Sequence, residues 1–201
     1  MTSSLRERRK QMLRDEILDA ARALLAEKGY AAMSMDELAA QVGISKPTLY
    51  SHFPTKTKDD IVVATAVREL ERFAALLEAG SDEQTPLQRL TWVMRKLIQI
   101  HSEKEHMDLR PWTPEIFKLL CSREEALACM RRIDVGIIAL IQAGIANGEI
   151  DPSLDPAIVA PAFYALGNAM RFARPGRGVL SNPAAADTLA TIFERGVRAD
   201  T

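Results

Sequence analysis

Cysteine is scarce: only Cys121 and Cys129 occur, and they form no CxxC pair. That excludes a disulfide framework and points to a reducing cytosol, with both thiols read as buried structural residues. No glycine-rich phosphate loop is present; the ten glycines are scattered at helix ends. No alternating strand pattern survives anywhere, so the fold class is all-α. No apolar run is long enough to cross a bilayer. The least charged stretch, Pro156 to Met170, is short and holds Pro161 and Asn168. The N-terminal MTSSLRERRKQMLRDE is charged and has no apolar core after it, so a soluble cytoplasmic protein without a secretory signal is expected.

Catalytic chemistry is equally thin. His101 and Glu105 share a helix face, but His106 is turned away by about a hundred degrees, so a solvated helix end is expected rather than a metal site. No nucleophile, base and orienting group can be assembled from spacing. The expectation is no enzyme, no cofactor and no metal.

What is present is centred on Ser34 to Phe53, SMDELAAQVGISKPTLYSHF. Ser34 and Glu37 suggest a capping box for a first helix, whose apolar face is Leu38, Ala39 and Val42. Gly43 stands where that helix must stop in a left-handed turn. Ile44 is apolar inside the turn and is read as its plug. Ser45 can cap a second helix, and Pro47 falls in its first turn. Leu49 and Phe53 make one inward edge. Lys46, Pro47, Thr48, Tyr50, Ser51 and His52 are left outside, and Pro54 ends the element. Two short helices around a glycine turn, with a polar second helix, form the pattern of a helix-turn-helix DNA reader. The bland alternative is an ordinary helical hairpin.

The run Gly43 to Phe53, with Thr48-Leu49-Tyr50-Ser51-His52-Phe53 at its heart, resembles the recognition segment of the tetracycline-repressor (TetR) family of bacterial regulators. The likeness extends upstream through Gly29, Tyr30 and Met33 to Met35, and covers about the first third of the chain. One departure concerns the lysine that follows the Phe. Lys56 has the family's distance but is followed by Thr57; Lys58 has the family's acidic and apolar neighbours but lies two residues further. The resemblance implies an all-helical protein with a pocket for a small effector in its C-terminal part.

Charge divides the chain. Residues 1–58 hold ten Lys/Arg against seven Asp/Glu, a balance of +3; residues 59–201 hold sixteen against twenty, a balance of −4. A basic start on an acidic body suits nucleic-acid binding at one end. The cluster Arg6, Arg8, Arg9 and Lys10 is either a frayed terminus or an arm that tracks phosphate or enters the minor groove. Leu13, Ile17, Ala20 and Leu24 define a first helix stopped by Gly29. Thr57 and Asp60 box the fourth, whose stripe runs Ile61, Ala64, Val67, Leu70, Phe73 or Ala74, and Leu77. It is too long for the reader alone and is read as the connector between domains.

Further starts come from cap-proline pairs at Thr85-Pro86, Thr113-Pro114, Asp155-Pro156 and Asn182-Pro183, and from a box at Ser122 and Glu125. They predict helices over 86–104, 114–121, 123–147, 156–173 and 183–198, about nine in all. The helix at 156–173 is apolar nearly all round, so one side needs a partner, most simply a second copy of the chain.

The expected organisation is a three-helix DNA-binding domain at 1–58, with its reader at 34–53. An effector-binding and dimerisation domain follows at 59–201. Lys46, Pro47, Thr48 and Ser51 are expected to reach bases. Ser34, Tyr50, His52 and Lys56 or Lys58 are expected to hold phosphates. The function read from this is a DNA-binding transcriptional regulator, a homodimeric repressor released from a palindromic operator by an unidentified small effector. The competing reading is a helical ligand-binding or interaction protein whose hairpin does not touch DNA.

Overall fold

A computed structural model describes residues 4–53, 57–79, 84–102, 113–169 and 182–199, with the side chains of 100–102 excepted. Nine α-helices and no strand occur among the described residues: α1 Leu5–Ala32, α2 Met35–Val42, α3 Lys46–Ser51, α4 Lys58–Glu78, α5 Pro86–Ser102, α6 Pro114–Cys121, α7 Glu124–Ala146, α8 Pro156–Gly167 and α9 Ala185–Val197. The expected His101–Glu105–His106 end, Pro54, Lys56 and Met170 fall wholly or in their side chains outside the described residues.

The chain forms two compact units, Met1–Glu69 with Met107–Leu127, and Leu70–His106 with Ala128–Thr201. The division between these units falls inside α4, between Glu69 and Leu70.

The first unit is built on α1, which packs on α2 as α2 packs on α3. Ile17, Leu18, Ala21, Leu24 and Leu25 bury one stripe of α1; Met35 and Leu38 of α2, Leu49, Phe53 and Ile61 are buried in the same unit. Gly29 does break α1, at φ 76° and ψ 171°, and the chain re-enters helix until Ala32. The start of α1 corrects the sequence reading. Residues 5–11 are helix, not a loose arm, because Ser4 Oγ accepts from Glu7 N while the Glu7 carboxylate accepts from Ser4 N at 2.8 Å. Arg68 ties α4 back to α1, donating to the Asp19 carboxylate at 2.6 Å and to the Asp15 carbonyl at 3.2 Å.

Four of the expected caps form. Thr57 and Asp60 bond reciprocally at 3.2 and 3.3 Å, Thr85 pairs with Gln88, and Thr113 and Asp155 accept from Ile116 N and Ala157 N. Two expectations fail. Ser122 donates to the Leu119 carbonyl and ends α6 rather than starting α7. Asn182 accepts from Ala184 N in a turn, so α9 begins at Ala185 and Pro183 lies before it.

In the second unit α5 packs against α8 and α9. Leu90, Val93, Met94, Ile98, Ile137, Ile141, Phe163 and Phe193 are buried, and Phe163 meets Phe193 edge-on at 5.4 Å. Helix α8 ends earlier than expected, at Gly167, with Asn168 as its C-cap. Its apolar residues divide by face. Val159, Ala160 and Phe163 are buried in the chain's own core, whereas Ile158, Pro161, Ala162 and Ala165 are exposed, Ile158 by 69%. Ile192 of α9 is 51% exposed. The cysteines also divide: Cys129 is buried as expected, but Cys121 is exposed. No described helix is long and apolar enough to cross a membrane.

Candidate nucleic-acid interface

The reader is assembled by local rules. Ser34 caps α2 by accepting from Asp36 N at 3.3 Å, with Asp36 and Glu37 in the first turn, where acidic groups favour the helix dipole. The expected capping box does not close. Glu37 leaves Ser34 for Lys28 of α1 and pairs with its ammonium, a partner nine positions away that no helix spacing would reveal. Gly43 takes φ 74° and ψ 29°, its N–H reaches the Ala39 and Ala40 carbonyls, and Ile44 N returns to Ala39 at 3.0 Å. A side chain at this φ would carry a steric penalty, so the turn requires glycine. Ile44 is only half-buried. Ser45 caps α3 by accepting from Thr48 N at 3.2 Å, with Pro47 in the first turn.

Leu49 is fully buried and Phe53 nearly so, which holds α3 in one rotation about its axis. Lys46, Pro47, Thr48 and Ser51 are thereby exposed together, and Tyr50 and His52 are half-buried at the flanks. The four side chains expected to reach bases are thus all exposed. Three of them are pre-set by a neighbour. Lys46 Nζ lies 2.9 Å from the Asp36 carboxylate, a bond that raises the lysine's pKa. Thr48 Oγ1 is 2.7 Å from Ser45 Oγ, and Ser51 Oγ donates to the Thr48 carbonyl at 2.7 Å.

The residues expected on phosphates are less uniform. Ser34 already spends an acceptor on its cap but keeps a hydroxyl proton to donate. His52 has its Nδ1 buried without a hydrogen-bond partner among the described residues. Its pKa is pushed down, first by burial and then by the charges of Lys10 and Arg14. Lys58 is held inward, its Nζ 4.6 Å over the Tyr30 ring and 3.4 Å from the Ala31 carbonyl, and burial lowers its pKa. Tyr30 in turn donates to Asp59 at 2.6 Å, which raises the phenol's pKa.

One residue at this site, Arg14, was missed from sequence, and Lys10 of the basic cluster joins it. Arg14 donates to the His52 carbonyl and lays its guanidinium 4.7 Å from the Phe53 ring centre, and Lys10 lies near enough for its charge to act on His52. The available signal was the S-x-x-E run Ser4 to Glu7, which extends α1 far enough to place both on one face.

Residues 17–65, which contain this whole arrangement, match the sequence profile described as "Bacterial regulatory proteins, tetR family". The chain belongs to the TetR family. The repressor KstR of Mycolicibacterium smegmatis is 38% identical over 93 residues, which is 46% of this chain and 42% of that protein. The match therefore spans less than half of that relative's length. The repressor KstR2 of Rhodococcus jostii is 24% identical over 192 residues, 90% of this chain and 89% of its own. In fold, the chain is similar to the regulator FadR from Bacillus subtilis, solved with stearoyl-CoA, at a TM-score of 0.72 and 19% identity over 92% of this chain and 99% of that one. This TetR-family chain is thus all-α, with an N-terminal helix-turn-helix domain followed by a helical C-terminal domain.

Proposed function

We propose that this TetR-family protein is a sequence-specific DNA-binding transcriptional regulator, not an enzyme, and that it acts in the cytoplasm as a homodimeric repressor on a palindromic operator. The observation that carries this is the joint exposure of Lys46, Pro47, Thr48 and Ser51 on a helix whose rotation is held by buried Leu49 and Phe53. An α-helix with such a face fits the major groove, where amide, hydroxyl and ammonium groups meet base edges. Thr48 and its neighbours read bases; Ser34, Tyr50, His52 and Lys56 or Lys58 bind phosphates. The bare apolar stripe Ile158, Ala162 and Ala165, with Ile192, supports the dimer, since a second copy of the same surface would cover it.

Control lies in the effector-binding domain that follows the reader in the 1–58 and 59–201 division. A small apolar or amphipathic molecule binds there and favours a state whose two reader helices miss the groove spacing of about 34–36 Å. Helix α4 supplies the covalent route, since it begins in the first unit and ends in the second. Such a shift is typically worth about 1–3 kcal/mol, and operator DNA must weaken effector binding by the same factor.

Selection from random duplex DNA tests the reading. A palindromic consensus is expected. Thr48→Ala should change preference at one position of each half-site, and Tyr50→Phe should weaken all sequences alike, because phosphate contacts carry no base identity. A Tyr50→Phe protein with altered preference and undiminished affinity for other sequences would reverse those roles. Stearoyl-CoA is the first effector probe. Equal affinity for it with and without a short operator duplex would show that it is no inducer.

A further inference from the structure

The first two turns of α1 carry Arg6, Arg8, Arg9 and Lys10, all exposed. At 3.6 residues per turn these four do not share a face. Arg6, Lys10 and Arg14, spaced by four, form one stripe, and Arg8 points to the opposite side. The stripe continues the face on which Ile17, Ala21 and Leu24 are buried further along the helix. The same side of α1 therefore packs in the core in its later turns and is bare and cationic in its first two.

The inner end of this stripe is anchored to the end of the reader helix. Arg14 donates to the His52 carbonyl and rests on the Phe53 ring. Lys10, one turn back, acts on the His52 imidazole. Arg6 lies a further turn out, about 6 Å along the axis from Lys10. The nearest acid in sequence, Glu7, has its carboxylate engaged by Ser4 N in the cap. Neither Arg6 nor Lys10 forms an ion pair among the described residues.

The geometry points to Arg6 and Lys10 as a phosphate-binding track on α1, beside the exit of α3, that takes backbone phosphates of duplex DNA flanking the bases read by α3. This rests on the DNA-reading assignment above and extends it to a second element. A helical track differs from a flexible arm in its consequence. Its backbone is already ordered, so the two cations add affinity without a backbone-ordering cost and without reading sequence.

The test is the salt dependence of binding to a selected duplex, followed by fluorescence anisotropy for wild type, R6A/K10A and R8A. Each phosphate contact contributes about −0.9 to the slope of log K against log salt. In the dimer the double substitution removes four contacts, so the slope should become shallower by about 3.6, a roughly hundredfold smaller loss of affinity between 50 and 200 mM salt. Base preference should stay the same. R8A removes one charge from the other side of the same helix and should keep the wild-type slope, which separates a located contact from a change in overall charge. If wild type binds selectively but R6A/K10A keeps its slope, or R8A flattens the slope by half as much as R6A/K10A, the track is refuted and the α3 reading stands. If wild type shows no selective binding to any duplex, the DNA-reading assignment itself fails, and the track with it.

Discussion

Arg14→Ala is the substitution that most directly probes how the reader helix is held. Arg14 does two things there: it donates to the His52 carbonyl at the C-cap of α3, and it stacks over the buried Phe53 ring. A hydrogen bond to a charged group contributes about 1.5–3 kcal/mol, and a cation over an aromatic ring about 0.5–1 kcal/mol at sites open to water. The site is only part-buried, so the freed carbonyl can rehydrate and the net loss should sit near the low end, about 2 kcal/mol. For a chain of this size each kcal/mol moves Tm by roughly 2–4 °C, so a fall of about 4–8 °C is expected. Calorimetry at fixed protein concentration measures it, and amide exchange should show the loss concentrated in α3. A double-mutant cycle with Phe53→Leu isolates the ring contact, with an expected coupling of about 0.5–1 kcal/mol. A Tm for Arg14→Ala within 1 °C of wild type, or a coupling of zero, would show that Arg14 does not anchor the reader.

Other consequences follow from burial and charge. Leu49→Ala removes a fully buried side chain that orients α3, and should cost about 2–5 kcal/mol in chemical denaturation while abolishing DNA binding. Ala162→Arg places a charge on the exposed stripe of α8 and should yield folded monomers with weak operator binding; sedimentation showing a monomeric wild type at micromolar concentration would remove the dimer. His52 has its pKa lowered from 6.5, so the unfolded chain binds the proton more readily. Stability should therefore be full above pH 6.5 and be lost as pH falls through the depressed folded value. His52→Gln should flatten that part of the stability–pH curve, and an unchanged curve would mean that His52 does not titrate differently on folding.

Much of the fold was legible because its signals are short-range. Gly43, Ser45, Thr57 with Asp60, Thr113 and Asp155 each act on partners within a few positions, so sequence spacing alone determines whether the bond can form. The start of α1 belongs to the same class, since Ser4 and Glu7 are three apart. Leu49 and Phe53 were recognisable as the inward edge of α3, and the presented face followed from them.

What only the tertiary structure decided are the pairings between segments distant in sequence. Glu37 leaves its own cap for Lys28. Lys58 turns in onto Tyr30, 28 positions earlier, and Arg14 reaches His52, 38 positions later. The division of α8 into a buried side at Phe163 and a bare side at Ala162 likewise depends on where α5 and α9 pack. Composition marks that helix as apolar all round without saying which side the chain itself covers. The reason is geometric. Helical spacing orders side chains within about one turn of each other, whereas the partner of a long charged or aromatic side chain is set by how separate helices come together.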